Sequence, residues 1–350
     1  MKRFNDLRIA SPLSTLVLTL VLAAPSANAE LHFGIPVNLG PNINSSSGDV
    51  VAIMAPDGCA LYLASDRPGG YGGHDAYVAT RQNTDDEWGP AVNLGQTVNT
   101  SSLDGPWSFS ADELSLYLNS DRPGGFGSYD LWVTTQVTTR TDPSAIWSRP
   151  VNLGPTVNSS SSDLHPNISF DGLSLYFASN RPGGSGGTDL WVTTRTSVST
   201  AWGPPVNLGP TVNSSSGDYQ PCLSRDGLLL FFASMRPGGF GPDDIYVATR
   251  ASVSDPWGAP VNLGPQINTP AEDFCPSLTP DGSALYFTSS GHGGYGYYDM
   301  WQVPILSGPI CGDSEHPYPV GDLNQDCHVD IADLEMLIDH WTECTAPECE

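Results

Sequence analysis

Short runs rich in β-branched and aromatic residues recur between residues 30 and 310, and glycine, proline or aspartate bounds each run. The runs SLYFAS at 174–179 and DLWVTT at 189–194 show the pattern, which is typical of β-strands. Asp-Gly pairs favour the positive φ of a tight hairpin turn, and they occur at residues 57–58, 171–172, 226–227 and 281–282. No stretch in this region has the apolar spacing of an amphipathic helix. The pattern therefore predicts an all-β fold.

The strand pattern repeats five times. The motif Val-Asn-Leu-Gly has its asparagine at residues 38, 93, 152, 207 and 262, and the aspartate of the DLWV-type run falls at residues 75, 130, 189, 244 and 299. Both markers have spacings of 55, 59, 55 and 55 residues. Four short strands in each such unit indicate the blades of a β-propeller. We therefore predict a five-bladed β-propeller over residues 30–305.

The ends of the repeat array predict how the ring closes. The first Val-Asn-Leu-Gly motif lies before the first Asp-Gly hairpin, whereas the last unit ends at Asp299–Val303 and no such motif follows it. The N-terminal strand is therefore expected to complete the last blade and close the ring. Closure would leave no strand edge exposed to other chains.

The repeat also resembles a known family. The units share the order Asp-Gly, Leu-Tyr-Phe-x-Ser, Asp/Asn-Arg-Pro-Gly-Gly-x-Gly and Asp-Leu-Trp, seen best at Asp171–Trp191. This order closely resembles the WD40-like PD40 repeat of TolB-type propellers, and the likeness covers nearly all of residues 33–305. The resemblance implies a propeller in the cell envelope or outside the cell, of a kind commonly used to bind other proteins.

A position that is filled alike in every repeat, here called a slot, is best explained by blade construction. The arginine slot is expected to pair with nearby aspartates or carbonyls, and it holds Arg67, Arg122, Arg181 and Arg236, with His292 in the fifth repeat. The tryptophan slot is expected to pack between blades, and it holds Trp88, Trp147, Trp202 and Trp257, with Phe33 in the first copy.

One aspartate slot has two interpretations. Its members lie eight residues before the hairpin aspartate, and they are Asp49, Asp104, Asp163, Asp218 and Asp273. They could form a carboxylate ring at one mouth of the central channel, where it would hold a cation or a polar ligand. Alternatively, each caps its own serine-rich turn through bonds from side chain to backbone, and the sequence favours this second interpretation.

Two sets of residues are candidates for ligand contact. The positions just after the slot aspartates vary most between repeats, which predicts that Trp107, His165, Tyr219 and Gln220 line one mouth of the channel. The second set comprises aromatic residues in the glycine-rich loops: Tyr71, Phe126, Phe240 and Tyr295, with Ser185 in the third repeat. Such aromatics can stack on sugar rings, but we expect them to be buried against a neighbouring blade.

Charge and motif content narrow the range of functions. Beyond residue 29 the chain has 37 acidic residues, ten arginines and no lysine. This balance excludes a nucleic-acid partner and lysine-dependent Schiff-base or P-loop chemistry. No His-Glu-x-x-His motif occurs, and acids outside the slots such as Glu113, Asp243 and Glu272 form no recognisable catalytic set. A non-catalytic protein that binds a protein or polysaccharide is favoured, with a carbohydrate-active protein or a TolB-like envelope factor as alternatives.

Residues 1–29 have the features of a secretory signal peptide: a basic start, an apolar run over 16–24 and a small-residue cleavage site at 27–29. No later apolar run is long enough for a transmembrane segment. The mature chain is therefore expected outside the cytoplasm, where disulfides form. Four of its seven cysteines suggest two bridges with three alternative pairings, and these are Cys311, Cys327, Cys344 and Cys349.

Residues 306–350 are predicted to form a small acidic module. The run 322–333 has the ligand spacing of a calcium loop, and the run 334–341 that follows has helical apolar spacing. The candidate ligands are Asp322, Asn324, Asp326, the carbonyl of His328, Asp330 and Asp333. The segment resembles a single type I dockerin repeat, which implies a calcium-dependent tag for a scaffold or envelope protein. A dockerin normally has two such loops, and Cys327 stands where glycine is usual.

Overall fold

The computed structural model describes residues 31–137 and 147–306, and these residues form 21 strands in five sheets without a helix. The sheets follow one another along the chain as five antiparallel blades, so the prediction of an all-β, five-bladed propeller is confirmed. In the same two ranges, no helix has the length and hydrophobicity of a membrane span.

Each blade runs from an inner strand through second and third strands to a short outer strand. The inner strands are β3 (Asp49–Met54), β7 (Asp104–Phe109), β11 (Asp163–Ile168), β15 (Asp218–Leu223) and β19 (Asp273–Leu278). The second strands are β4 (Ala60–Ser65), β8 (Ser115–Ser120), β12 (Ser174–Ser179), β16 (Leu229–Ser234) and β20 (Ala284–Ser289). The third strands are β5 (Asp75–Thr80), β9 (Asp130–Thr135), β13 (Asp189–Thr194), β17 (Asp244–Thr249) and β21 (Asp299–Leu306). The outer strands are β6 (Val92–Asn93), β10 (Val151–Asn152), β14 (Val206–Asn207) and β18 (Val261–Asn262), with β1 (His32–Phe33) and β2 (Val37–Asn38) in the fifth blade.

The inner strands surround a central channel. Neighbouring pairs are in contact from β3 through β7, β11, β15 and β19, and β19 returns to β3. Every inner strand begins at its slot aspartate and ends before its hairpin turn. We call the two ends of the channel the aspartate end and the hairpin end.

The hairpin turns have the predicted backbone conformation. Glycine adopts a φ between +70° and +75° at Gly58, Gly172, Gly227 and Gly282. In the second blade Glu113 takes this position with a φ of 61°. The structure thus confirms the Asp-Gly pairs as the turns that join inner and second strands.

A bulge in the inner strands was not predicted. The residue two positions after the slot aspartate has positive φ in four blades, at Val51, His165, Gln220 and Cys275. In the second blade this position is Pro106, and because proline holds φ negative, the irregularity lies between Pro106 and Ser108, at Trp107. A β-bulge commonly changes the direction in which a side chain points. Here the bulged position at the channel wall holds a different residue in each blade.

The slot aspartates are buried inside the blades, and all five have 0% exposure. In the first blade, Asp49 accepts hydrogen bonds from the backbone and hydroxyl of Ser45 and from the hydroxyl of Ser65. The guanidinium of Arg67 donates to Asp49 at 2.6 Å and to the carbonyl of Ile43 at 2.6 Å. The arginines therefore pair with aspartates and carbonyls, as predicted, and the aspartates make the contacts that the capping interpretation requires.

The fifth blade departs from this arrangement. His292 replaces the arginine, and its Nε2 atom lies 3.0 Å from the carbonyl oxygen of Ile267. Asp273 keeps its bonds from Thr269 but has no arginine beside it. Burial without that cation raises the pKa of Asp273.

One backbone conformation and two close contacts explain the Pro-Gly-Gly-x-Gly sequence. In the first blade, Gly69 has a φ of 98°, a conformation that glycine adopts without steric cost. A Cβ on Gly70 would lie 2.6 Å from the carboxylate of Asp75, and a Cβ on Gly72 would lie 2.0 Å from the carbonyl oxygen of Ser102 in the next blade. The third glycine is therefore a joint between neighbouring blades, and it recurs at Gly127, Gly186, Gly241 and Gly296.

The asparagine of Val-Asn-Leu-Gly ties the outer strand to the third strand. Asn93 donates from its side chain to Asp75 at 2.9 Å and accepts from the backbone of Gly95 at 2.8 Å. A second asparagine, Asn99, bonds both backbone groups of Ala76 at 2.9 Å and donates to Asn93. Because Asp75 and Asn99 are buried and all of these polar groups are satisfied, they fix each outer strand in one register.

The tryptophan slot packs between blades, as predicted. Trp88 belongs to a cluster that joins Leu61 and Leu63 of the first blade to Tyr286 and Met300 of the fifth. Trp147 likewise joins Tyr62 to Leu116. Apolar contact between blades is therefore continuous with the core of each blade.

The N-terminal strands pair with the third strand of the fifth blade. In β2, Val37 lies opposite Gln302 and Asn38 lies opposite Trp301. In β1, Phe33 lies opposite Ile305. The side chain of Asn38 also donates to Asp299 at 3.0 Å, which is the contact that the outer-strand asparagine makes in every other blade.

Candidate functional site

The aspartate end of the channel is where the blades differ most. The residue before the third strand is His74, Tyr129, Thr188, Asp243 and Tyr298 in the five blades, and the residue before the inner strand is Gly48, Leu103, Ser162, Gly217 and Glu272. Their backbones are nonetheless equivalent, because each residue of the first set accepts from the amide of the next slot aspartate at 2.7–3.2 Å. The chemical differences are therefore not required to build the ring.

Three of the predicted ligand-contacting residues lie together in the channel. The rings of Trp107 and His165 have centroids 4.2 Å apart, and the rings of His165 and Tyr219 have centroids 6.1 Å apart. The Nε1 atom of Trp107 and the Nδ1 atom of His165 are buried and have no hydrogen-bond partner in the described part of the chain. These nitrogens can each form a further hydrogen bond to a polar group in the channel.

Gln220 has a different environment from its neighbours. It is buried, and its side-chain oxygen accepts a hydrogen bond from the backbone of Cys275 at 2.8 Å. Asn167 makes a similar bridge to the backbone of Leu223 at 2.9 Å. Gln220 therefore links two inner strands, β15 and β19.

His165 is held in its uncharged form. Its burial lowers the pKa of the imidazole from 6.5 to about 3, since an imidazolium ion loses hydration there. Its backbone amide donates to the side chain of Asn119 at 3.2 Å. At neutral pH the ring can therefore donate from one nitrogen and accept at the other.

We expect NMR to find no protonation of His165 between pH 8 and pH 5, with the spectrum of His165→Gln as the assignment control. Because the unfolded chain takes up this proton near pH 6.5 and the folded chain does not, His165 reduces stability as pH falls below that value. Urea unfolding should show a shallower loss of stability in His165→Gln. A midpoint for His165 between pH 5 and pH 8 would contradict this assignment.

Two carboxylates continue the site from Tyr219 toward the first blade. The hydroxyl of Tyr219 donates to Asp243, and the hydroxyl of Tyr298 donates to Glu272. The backbones of Asp243 and Glu272 form a parallel bridge. Burial and then the nearby Glu272 charge raise the pKa of Asp243, and burial with the Glu272 hydrogen bond raises the pKa of Tyr298.

The channel arc is our name for these six residues: Trp107, His165, Tyr219, Asp243, Glu272 and Tyr298. They come from the second to the fifth blade and follow one another through ring contacts, hydrogen bonds and the backbone bridge. The sequence indicated Trp107, His165 and Tyr219 through their variability. Tyr298 was missed because a tyrosine before a strand carries no signal, and the partners of Asp243 and Glu272 are more than 20 residues away in sequence.

The slot aspartates are not part of the surface of this mouth. All five are fully buried, and serine, threonine or arginine groups occupy their oxygens in the first four blades. Among residues 31–137 and 147–306, no group of three or more histidines, cysteines or acids is placed to hold a metal ion. The predicted calcium ligands, Asp322, Asn324, Asp326, His328, Asp330 and Asp333, lie outside the described residues, as do the four C-terminal cysteines.

The hairpin end of the channel contains a cavity of about 140 Å³ that all five blades line. Trp107 reaches this cavity from one side, and Ile53, Asn167, Cys222 and Ser277 complete its wall. At its rim, the guanidinium of Arg225 lies 4.1 Å from the ring centroid of Phe170. Trp107 is therefore shared between the channel arc and this cavity.

No family model and no curated protein matches the chain. Among solved structures, an α-L-arabinofuranosidase from Lactobacillus brevis is similar, with 13% identity, a TM-score of 0.52 and coverage of 80% of this chain and 95% of that chain. TolB from Acinetobacter baumannii is similar at 15% identity and a TM-score of 0.43, and 76% of this chain spans 57% of that chain. At these identities the likeness shows the five-bladed fold alone.

Proposed function

We propose that this chain is a ligand-binding propeller that acts outside the cytoplasm and holds its ligand at the channel arc. The observation that carries the proposal is the departure of one side of the mouth from five-fold repetition. Other blades fill the same positions with unrelated residues such as Thr188, Ser162 or Leu164 and keep the same backbone. Blade construction therefore does not account for the channel arc, whereas contact with a ligand does.

The chemistry of the channel arc favours an uncharged or cationic ligand with a flat or ring-shaped part. Trp107, His165 and Tyr219 offer aromatic faces, and Asp243 and Glu272 are hydrogen-bond acceptors. An anionic ligand would meet two carboxylates without an opposing cation. This composition suits a polysaccharide or a protein side chain better than a phosphate-bearing molecule.

Residues exchanged between blades give variants that preserve the fold. We expect Tyr219→Leu, Asp243→Thr and Glu272→Ser to fold normally, because Leu164, Thr188 and Ser162 hold those positions in the third blade. Each should weaken binding by at least about tenfold, since central contacts dominate interface energies. Binding would be measured on a glycan array and by capture from native membranes and medium.

The matched control is Leu103→Ser, which changes the same position as Glu272 on the side of the ring away from the carboxylates. Its binding should equal that of the unaltered chain. If all three channel-arc variants retain full binding while the control behaves identically, the ligand is held elsewhere and the proposal fails.

Glycoside hydrolysis is the second candidate. Asp243 and Glu272 are neighbouring carboxyl groups, and the raised pKa of Asp243 is a property of general acids. A screen of polysaccharides for turnover would distinguish the two functions. Turnover that disappears in Asp243→Thr and Glu272→Ser would establish the enzyme, whereas binding without turnover would support the first proposal.

The proposal also includes three predictions about parts of the chain outside the channel: ring closure, export and a calcium-binding module. Pairing of β1 and β2 with β21 supports closure of the ring by the N-terminal strands. The features of residues 1–29 support export, and the ligand spacing at 322–333 supports a dockerin-like calcium module at 306–350. The module would attach the propeller to a scaffold or envelope protein.

Calcium binding can be tested on the full chain. Calorimetry should detect calcium uptake at millimolar metal or below, and the double variant Asp322→Ala/Asp333→Ala should abolish it. Equal heats for the variant and the unaltered chain would show that the uptake occurs elsewhere. No heat in either would exclude the calcium loop.

A further inference from the structure

The glycine-rich loops at the aspartate end expose an aromatic side chain in four of the five blades. The exposed fractions are 44% at Tyr71, 49% at Phe126, 47% at Phe240 and 54% at Tyr295. The expectation that these residues are buried against a neighbouring blade was wrong. Ser185 holds the same position in the third blade, so an aromatic ring is not needed to build the loop.

The loops hold these aromatic residues in place through their backbones. The amide of Tyr71 donates to the buried carboxylate of Asp75 at 2.5 Å, and the amide of Tyr295 donates to Asp299 at 2.6 Å. The glycine that follows each aromatic contacts the backbone of the next blade. A ligand would therefore meet rings that are already positioned, which lowers the entropic cost of binding.

The turn of the next blade that contacts the loop glycine has an exposed serine at its tip for three of the four aromatics. Gly72, which follows Tyr71, contacts the carbonyls of Thr100 and Ser102, and the tip of that turn is the exposed Ser101. The equivalent tip residues are Ser160, in the turn that contacts the glycine after Phe126, and Ser46, in the turn that contacts the glycine after Tyr295. In the described part of the chain, none of the three tip hydroxyls makes a hydrogen bond.

The remaining two joints each lack one half of the pair. Phe240 has Pro270 at the adjoining turn tip, which offers no hydroxyl, and Ser215 adjoins Ser185, which offers no ring. The propeller thus has three complete pairs of an aromatic ring and a hydroxyl, at the joints of the first and second, second and third, and fifth and first blades.

We propose that these three joints are subsites for an uncharged oligosaccharide. A sugar ring presents polarised C–H groups to the negative face of an aromatic ring, and its hydroxyls can bond the free serine. Neither member of a pair is charged, and the chain as a whole repels anionic ligands. Three equivalent subsites around one face suit a polymer of repeated sugar units, which would bind with avidity. The inference does not depend on the channel arc.

Native mass spectrometry with cellohexaose, xylohexaose and mannohexaose tests the proposal, with a proline-rich decapeptide as the competing probe. In the full chain carrying Tyr219→Leu, which weakens the channel arc, we expect at most three bound copies of at least one hexasaccharide. Tyr71→Ala and Tyr295→Ala should each remove one copy. Ser185→Tyr, which completes the pair with Ser215, should add a fourth copy.

Two controls keep the outcome specific. Phe170→Ala removes an aromatic of similar exposure at the hairpin end and should leave the number of bound copies unchanged. Ser215→Ala, which removes a turn-tip hydroxyl that adjoins no aromatic residue, should also leave it unchanged. The proposal is overturned if no hexasaccharide binds, if Ser185→Tyr and Tyr71→Ala leave the count unaltered, or if only the proline-rich peptide depends on these residues.

Discussion

Alanine at Gly186 is expected to lower the unfolding free energy of the propeller by about 3 kcal/mol, whereas alanine at Gly187 should change it by less than about 0.5 kcal/mol. A Cβ on Gly186 would lie 2.1 Å from the carbonyl oxygen of Ser216 and 2.8 Å from that of Ser214. Both atoms belong to the backbone of the next blade, so they move only if the blades separate. A Cβ on Gly187 meets nothing within 4 Å.

The adjacent glycines make the comparison specific. The position of Gly187 holds Ser128, Pro242 and Tyr297 in other blades, whereas the position of Gly186 is glycine in all five. Urea unfolding followed by tryptophan fluorescence would measure both variants against the unaltered chain. Equal stabilities for the two alanine variants would show that the joint between blades tolerates a methyl group, contrary to the contacts described here.

Leucine at Arg122 is expected to cost about 3–5 kcal/mol, because it leaves a buried carboxylate without its cation. The guanidinium of Arg122 donates to Asp104 at 2.5 Å, to the carbonyl of Val98 at 2.8 Å and to the hydroxyl of Ser120 at 3.0 Å. Arg122 is itself buried, with a side-chain exposure of 7%. Water therefore cannot replace the lost bonds in the folded chain.

A double-mutant cycle would separate the ion pair from simple loss of packing. Asp104→Asn in the Arg122→Leu background should recover part of the stability, since the unpaired charge is then gone. Arg149→Leu, at an exposed position, should change stability by less than about 0.5 kcal/mol. A cost for Arg122→Leu no larger than that of Arg149→Leu would disprove the structural role of the slot.

The fifth blade resembles the Arg122→Leu variant, because its buried slot aspartate has no arginine partner. Asp273 stays buried beside His292 without an arginine, and its pKa is raised. A carboxyl group whose folded pKa is raised contributes stability below its unfolded pKa, and this contribution is lost as pH rises through the folded value. The other four blades have an arginine beside the slot aspartate, and the fifth blade has none.

The sequence contained enough information to predict the fold because repetition removes ambiguity. A single run such as SLYFAS is a weak signal, but five copies at nearly constant spacing leave few architectures. Capping by Asp49 and pairing by Arg67 were also predictable, since both partners recur at fixed offsets. Because the other positions recur, Trp107, His165 and Tyr219 were recognisable as departures from the repeat and therefore as candidate ligand contacts.

The parts that sequence reasoning missed depend on contacts between blades. Gly72 looks like one more loop glycine until the carbonyl of Ser102 is placed beside it. The exposure of Tyr71 follows from the same joint, because the loop backbone, and not the ring, fills the space between blades. Val51 at a φ of 62° was unforeseeable, since a β-branched residue is disfavoured there.

The pairing of β1 and β2 with β21 also sets the order of events during synthesis. Asn38 and Asp299 are 261 residues apart, so the first strands leave the ribosome long before their partner exists. The cost of joining distant segments grows slowly with their separation, and the delay is therefore one of time rather than of final stability. A chain interrupted anywhere before β21 would leave β1 and β2 without their partner strand. If the N-terminal strands close the ring as proposed, closure waits until β21 has been made.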